Sequence, residues 1–391
     1  MDTSKAIMVI PTYWAREKPK SGDLIFDHPT PLNENGTLER LLDSLKILED
    51  KIDILIISVP TFNDYNNIVK NKVDKILEKF KDEYNIYHFS FESINKLYEF
   101  YQEEGKEEFK SMLSLKGYSP VRNCCIYIPN ILDKDVAILI DDDEIFEDSK
   151  FIKKALKYIS PDIPGIAGYY VQEHGGYKFI KKTPWYRRFW DNIKAMNEAF
   201  NIIESENDLV ETTFVFGGNM IIHRKLFMNI PFDPFIRRGE DISYLCDAKI
   251  NGFKFMLNTK LSIKHLPPKS KSPEYIKIRE DIYRFVYMRY KLLQQKYNIN
   301  ETLPYPGYFL KEDLYSKIII TSLLYSIDSF SKFKYKDGIQ FLNNIDHMII
   351  AYYNSPKWYK KFLKFKEQWP QFMEWSYNNR DKIVKLIFEN S

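Results

Sequence analysis

The stretch "ILIDDDEIFED" (138–148) sets three aspartates and a glutamate directly behind a run of apolar residues. Carboxylates this close repel one another unless a positive group sits among them. Four chemistries put such a cluster to use. An ATPase Walker B strand needs a GxxxxGK[ST] loop elsewhere, and "EEGKEEF" lacks its first glycine and its hydroxyl. A calcium loop needs Gly at its sixth position and Glu at its twelfth, and neither is present. A DxDxT phosphatase needs Thr at 145, where Ile145 stands. What is left is a DxD pair, Asp141 and Asp143, at the carboxyl end of a strand, where open α/β sheets bind ligands. A hard divalent cation takes one or two carboxylates and completes its shell with phosphate oxygens. On a nucleotide diphosphate such a cation neutralises charge developing on the leaving group. The structural alternative is a solvated acidic turn opening onto a helix.

Other residues with chemical potential fall in a definite order around this cluster. Arg122 and Asn123 precede it in "KGYSPVRNCCIYI". Gly217, Gly218 and Asn219 follow in "FGGNMIIHR", then Glu240 and Asp241 in "FIRRGEDISYL", then His265 in "SIKHLPP". Each has a purely structural reading. Acidic residues at a helix start suit its dipole, paired glycines suit a bulge or tight turn, and a lone histidine suits the core.

These residues need a scaffold to bring them together. "AIMVI" (6–10) reads as a buried strand ending at Pro11, and "DILIISV" (53–59), "IYHFSF" (86–91) and "VAILI" (136–140) as further strands. "TLERLLDSLKIL" repeats Leu at helical spacing behind Thr37, a candidate N-cap. "TTFVFGGNMIIHRKLF" (212–227) reads as a strand interrupted by its glycines, and 239–253 as a helix with Gly252 past its end. Unbroken apolar strands alternating with helices predict a mainly parallel sheet covered on both faces. Beyond about residue 272, apolar residues recur every three or four positions, which predicts helices. The expected organisation is an α/β domain over 1–270 and a helical region over 271–391.

In this order the motifs resemble those of the GT-A-fold (Rossmann-like) glycosyltransferases, in particular the broad family-2-like group, over roughly residues 6–266. The resemblance implies a nucleotide-diphosphate-sugar donor (a UDP- or GDP-sugar) and a hydroxyl acceptor such as a sugar or small polyol or acid. It implies a divalent cation, Mn²⁺ or Mg²⁺, held by Asp141, Asp143 and His265. Donor contacts would come from Pro11, Thr12, Tyr13, Asp64, Arg122, Asn123, Asp141 and Asp142, with Asp142 pointing away from its two neighbours. Gly217, Gly218 and Asn219 would line the acceptor side. Asp241 would be the general base of an inverting transfer, with Glu240 beside it. Two alternatives stay open: a retaining GT-A synthase of a glycosylglycerate-type solute, and a sugar nucleotidyltransferase. The family's acidic base-reading residues after the second strand are represented only by Asp64. The long segment after Tyr13 could take over part of donor binding through Asp27 or His28. The segment "YKFIKKTPWYRRFW" (177–190) could offer Trp185 or Trp190 for stacking on a ring.

Composition narrows the partners. Lys and Arg number 57 against 54 Asp and Glu, a balance of +3 that gives no electrostatic footprint for nucleic acid. Three cysteines, two of them adjacent, make no disulfide framework and fit a reducing compartment. The longest apolar run near the end, "IIITSLLYSI", is about half a membrane span. A soluble, cytoplasmic protein is expected, with the C-terminal helices able to join two copies.

Overall fold

The computed structural model describes residues 2–18, 26–62, 65–268 and 272–389. Its centre is a mixed sheet of ten strands: β1 (Ala6–Ala15), β2 (Thr30–Pro31), β3 (Asp53–Pro60), β4 (Ile86–Phe89), β5 (Val136–Leu139), β6 (Glu144–Ile145), β7 (Gly165–Val171), β8 (Leu209–Glu211), β9 (Met220–His223) and β10 (Phe255–His265). The order is β4-β3-β1-β5-β9-β7-β10-β6, with β2 added to β1 and β8 to β10. Strands β4, β3, β1 and β5 run parallel. Strand β9 is antiparallel to both β5 and β7.

Twelve helices flank it: α1 (Leu38–Ser44), α2 (Asn66–Leu77), α3 (Phe91–Glu103), α4 (Tyr118–Ile131), α5 (Phe151–Leu156), α6 (Asn192–Ala199), α7 (Arg224–Phe227), α8 (Glu240–Ile250), α9 (Glu274–Gln294), α10 (Leu314–Ser331), α11 (Tyr335–Asn378) and α12 (Arg380–Val384). Successive strand side chains point to opposite faces, so β1 sends Met8 and Ile10 to one core and Ile7 and Val9 to the other. Both faces are covered, which is why these strands read as continuous apolar runs.

The mixed α/β architecture with a helical C-terminal region agrees with expectation; several boundaries do not. Strand β1 continues through Pro11 to Ala15, paired with β3 as far as Trp14. The carbonyl of Val9 accepts from Ile140 on the β5 side, and that ladder stops there. Pro11, two residues on, faces the same side, so its missing N–H leaves no rung unmade. Thr37 precedes α1 but makes no capping hydrogen bond; its hydroxyl serves Asp142 instead. The strand expected across 212–227 shrinks to Met220–His223, with Gly217 and Gly218 in the turn before it.

The C-terminal helices share one core with the sheet. Trp369 on α11 is fully buried and its indole N–H donates to the Phe227 carbonyl at 2.8 Å. The Asn130 amide on α4 donates to the Met373 carbonyl at 2.8 Å. Lys291 on α9 reaches Asp233 and Asp247 with no exposed surface on any of the three side chains.

Candidate active site

Strand β5 ends at Leu139, and the chain turns through Asp141, Asp142 and Asp143 into β6. This short strand pairs antiparallel with the end of β10, setting Glu144 opposite His265. The turn is stitched further by Leu266 N–H, which donates to the Asp143 carbonyl at 2.9 Å. Arg40 donates to the carbonyls of both Asp143 and Leu266. A residue more than a hundred positions downstream is thus held beside the acidic turn by backbone pairing.

The four carboxylates are unequal. Asp141 is the most open, and its Oδ1 lies 2.7 Å from Nη2 of Arg122. Asp142 is buried and accepts from the Thr12 hydroxyl at 2.6 Å. Burial, with Asp143 next to it, pushes the Asp142 carboxyl up to about 8. Asp143 lies 3.5 Å from Nε2 of His265. Burial opposes ionisation there, but the histidine more than offsets it and holds the Asp143 carboxyl below the ordinary range. Glu144 is fully buried, and burial plus the charges of Asp141 and Asp143 raise its carboxyl well above the usual value. Its Oε2 accepts from Asp141 N–H, while Oε1 has no partner among the described residues.

Across the cavity, α8 begins at Glu240 behind Gly239, which has φ +67°. A side chain at Gly239 would also overlap the Arg284 guanidinium of α9, so this helix start tolerates only glycine. Arg122, buried on α4, spans the two walls: Nη2 on Asp141 and Nε 3.3 Å from Glu240. Asp241 accepts from Gly217 N–H at 3.2 Å and from Ile242 N–H at 2.7 Å. Burial, and then Asp241 beside it, raise the Glu240 carboxyl against the pull of Arg122. Burial likewise raises Asp241, with Arg284 and Arg122 opposing.

Both walls line one cavity of about 480 Å³, which also takes in Tyr13, Asp27, His28, Arg122, Gly217 and His265. Other expected residues lie elsewhere. Asn123 closes its amide on the backbone of Phe232, donating at 2.9 Å and accepting at 2.8 Å, and does not line the cavity. Asn219 is buried beneath Gly168 and donates to the Tyr169 carbonyl. The space beside Gly217 is filled by Arg122 and that beside Gly218 by Glu144, so both glycines make room for protein side chains. Thr12 acts through Asp142, and Pro11 is a strand residue. Asp64 falls outside the described residues. Trp190 is core, packed on Phe285 and Phe309, whereas Trp185 is half exposed.

Among the described residues, no group of three or more His, Cys, Asp or Glu side chains is arranged to hold a metal ion. Asp143 and His265 form a pair, with Asp141 turned to Arg122. A pair fits a hard cation that takes its other ligands from phosphate and water.

Sequence reasoning missed Tyr170, which stacks on Phe216 (centroids 4.2 Å) and His265 (4.5 Å) and accepts from Gly218 N–H. It also missed Arg284, which lines the same cavity; Arg238, a candidate from the sequence for holding the diphosphate or a charged acceptor, lines it too. Arg284 sits three residues after Asp281 in a helix, a spacing that reads as an ordinary surface ion pair.

No protein-family model matches the chain, and no curated protein matches it. Solved structures do resemble it. Mannosyltransferase PcManGT from Pyrobaculum calidifontis, in complex with GDP-Man and Mn2+, is 12% identical over 90% of this chain and 86% of that one, at TM-score 0.49. S. aureus TarS 1-349 is 13% identical over 91% of each chain, at TM-score 0.41. The same TarS segment with UDP-GlcNAc is 12% identical over 96% of this chain and 91% of that one, at TM-score 0.44. Likeness at these values decides nothing about chemistry, which has to come from the cavity's own side chains.

Proposed function

We propose that the chain is a nucleotide-sugar-dependent glycosyltransferase of GT-A type that moves a sugar to a hydroxyl acceptor with inversion. One observation carries this reading: the Asp141–Asp143 turn with His265 and the Glu240–Asp241 helix start face each other across a single cavity.

Asp143 and His265 would hold a divalent cation together with the donor diphosphate. Bound there, Mn²⁺ or Mg²⁺ supplies charge neutralisation for the departing diphosphate. The remaining work falls to the chain. Asp241 accepts the proton of the acceptor hydroxyl as that oxygen attacks the anomeric carbon, and the diphosphate leaves from the opposite side. A carboxylate kept weakly acidic by burial is a better base than one in water. The Gly217 N–H and Ile242 N–H fix its orientation. Arg122 ties Asp141 on the donor wall to Glu240 on the acceptor wall. Tyr13 and His28 would bound the nucleotide end.

Thermal-shift titration with UDP- and GDP-sugars, with and without Mn²⁺ or Mg²⁺, tests the reading. A ligand that binds only the folded chain raises Tm. Asp143→Asn is expected to lose the cation-dependent part of that shift, and Asp241→Asn to keep it and lose turnover. No shift with any nucleotide sugar, or pyrophosphate release from a sugar phosphate and a nucleoside triphosphate, overturns it. The anomeric proton of the product reports inversion.

A further inference from the structure

Helix α10 buries hydroxyls and leaves aliphatic side chains outside. Between the buried Leu314, Ile318 and Tyr325, its inward positions carry Thr321, Ser322, Ser326 and Ser329, also buried. The hydroxyls of the first three have no hydrogen-bond partner among the described residues. Its outward positions carry Ile319, Ile320, Leu323 and Ile327, between 37% and 55% exposed. From Ser316 to Ser331 none of the exposed residues of α10 ionises. In water, four exposed aliphatic side chains opposite buried hydroxyls without partners run against the hydrophobic effect. The arrangement seen, small residues between helices and aliphatic ones outside, is the one used where the surroundings are apolar.

The neighbouring helix repeats it. Ring contacts of Tyr315 with Tyr352 and of Tyr325 with Phe341 set α11 antiparallel to α10. There Asn344, Ala351 and Ser355 face inward beside Phe341 and Met348, while Ile349, Ile350 and Tyr353 are exposed, with Asp346 the exposed acid among them. Among the described residues no helix is long and apolar enough to cross a membrane. An apolar surroundings therefore has to be met side-on.

What that surroundings is follows from the tip of this hairpin. Phe333 is 79% exposed and Tyr335 58%, and they alternate with exposed Lys332, Lys334 and Lys336. Tyr186 packs on Tyr325 with ring centroids 4.7 Å apart, and Lys332 lies over Tyr186. This brings alongside a turn that exposes Trp185 and Phe189 with Arg188. Aromatic rings interleaved with lysine and arginine are the chemistry of a bilayer interface with anionic headgroups. A second copy of the chain would have to bring an equally basic tip or acidic residues that this face does not offer in number.

We propose that the outward face of α10–α11, with the basic aromatic turn at 185–189, docks on an anionic lipid surface. The aliphatic side chains enter the headgroup region and the lysines and arginine pair with lipid charge. Phe179, Asn192 and Met196, on either side of that turn in the chain, line the active-site cavity, which ties the turn to the cavity wall. That the acceptor is delivered from the bilayer rests on the functional reading above; docking itself does not.

Vesicle co-sedimentation of the full chain, which needs no turnover, separates the two. The chain is expected to sediment with equimolar phosphatidylcholine–phosphatidylglycerol vesicles at low salt, far less with phosphatidylcholine alone, and less as salt rises. The double variant Leu323→Glu, Ile327→Glu is expected to lose about tenfold or more of the bound fraction. Both side chains are exposed, so its Tm and its nucleotide-sugar thermal shift stay unchanged. Absence of sedimentation with the anionic vesicles overturns the proposal, as does binding that the double variant leaves intact. So does a concentration-dependent dimer that the double variant dissolves, which would make the face a contact between copies.

Discussion

Two buried clusters in this protein carry more carboxylate than cation, and they are built to opposite ends. Around Lys291 the ammonium donates to Asp233 at 3.1 Å, Asp247 at 2.8 Å and Ser243 at 2.7 Å. Tyr287 donates to Asp233 as well. Three donors meet three acceptors, and against the cost of burial the two aspartates hold the ammonium charged. The ammonium is saturated, although Asp247 Oδ1 keeps no partner among the described residues. Around Arg122, by contrast, carboxylates crowd the rim of an open cavity. Glu144 Oε1 and Arg122 Nη1 have no partner among the described residues, and Asp142, Glu144, Glu240 and Asp241 are all raised by burial first. A closed cluster ties α9 to α8; an open one waits for charge from outside. Each cluster keeps a buried oxygen without a partner, Asp247 Oδ1 in one and Glu144 Oε1 in the other; what separates the chemical network from the structural one is that its residues line the cavity.

The comparison can be broken by variants. The largest effect is expected from Lys291→Met, which strands two buried aspartates. Removing one partner of a buried ion pair typically costs about 3–5 kcal/mol, so chemical denaturation should show a loss of that order, or failure to fold. If stability is unchanged, the cluster is not the tie between α8 and α9. Next comes Asp241→Asn. Loss of a general base lowers turnover about 10²–10⁴-fold, while Tm should hold or rise because a buried carboxylate is removed. A fall in Tm like that of Lys291→Met would place Asp241 with the structural group.

Smaller still is the pH effect. Asp241 and Glu240 both have carboxyls raised in the folded state, so the ionised base is lost as pH falls through a value above the ordinary aspartate range. Turnover should therefore decline on the acid side earlier than a solvent-exposed aspartate would allow. Glu240→Gln removes the neighbouring charge and eases ionisation of Asp241, moving that acid limb down by about one pH unit. A pH–rate profile unchanged by the substitution would uncouple the pair.

Much of the scaffold was legible because periodicity reports burial directly. The apolar runs at 53–59 and 136–140 are strands covered on both faces, and Gly252 closes α8 as its position suggested. The boundaries that failed did so where a side chain had a distant duty. Thr37 gave up its cap for Asp142, and Pro11 stayed in a strand because its neighbour strand had already ended. The acidic turn, Arg122, the Glu240–Asp241 pair and His265 were legible as an ordered set of residue types, and they do meet. The glycine pair was legible only as a need for space; that the space belongs to Arg122 and Glu144 depends on helices packed from elsewhere in the chain.

By itself the sequence determined the kinds of group available, carboxylates behind a strand and at a helix start, a histidine after another strand, and the local elements that carry them. Only the tertiary structure decided which carboxylate is open, which is buried beside Thr12 and which faces His265. Only it decided that Arg284 from the C-terminal helices reaches the same cavity, and that α10 turns Ile319, Ile320 and Ile327 outward. Local pattern follows from neighbours within a few residues, whereas burial, ionisation and partnership depend on what the rest of the chain folds against each side chain.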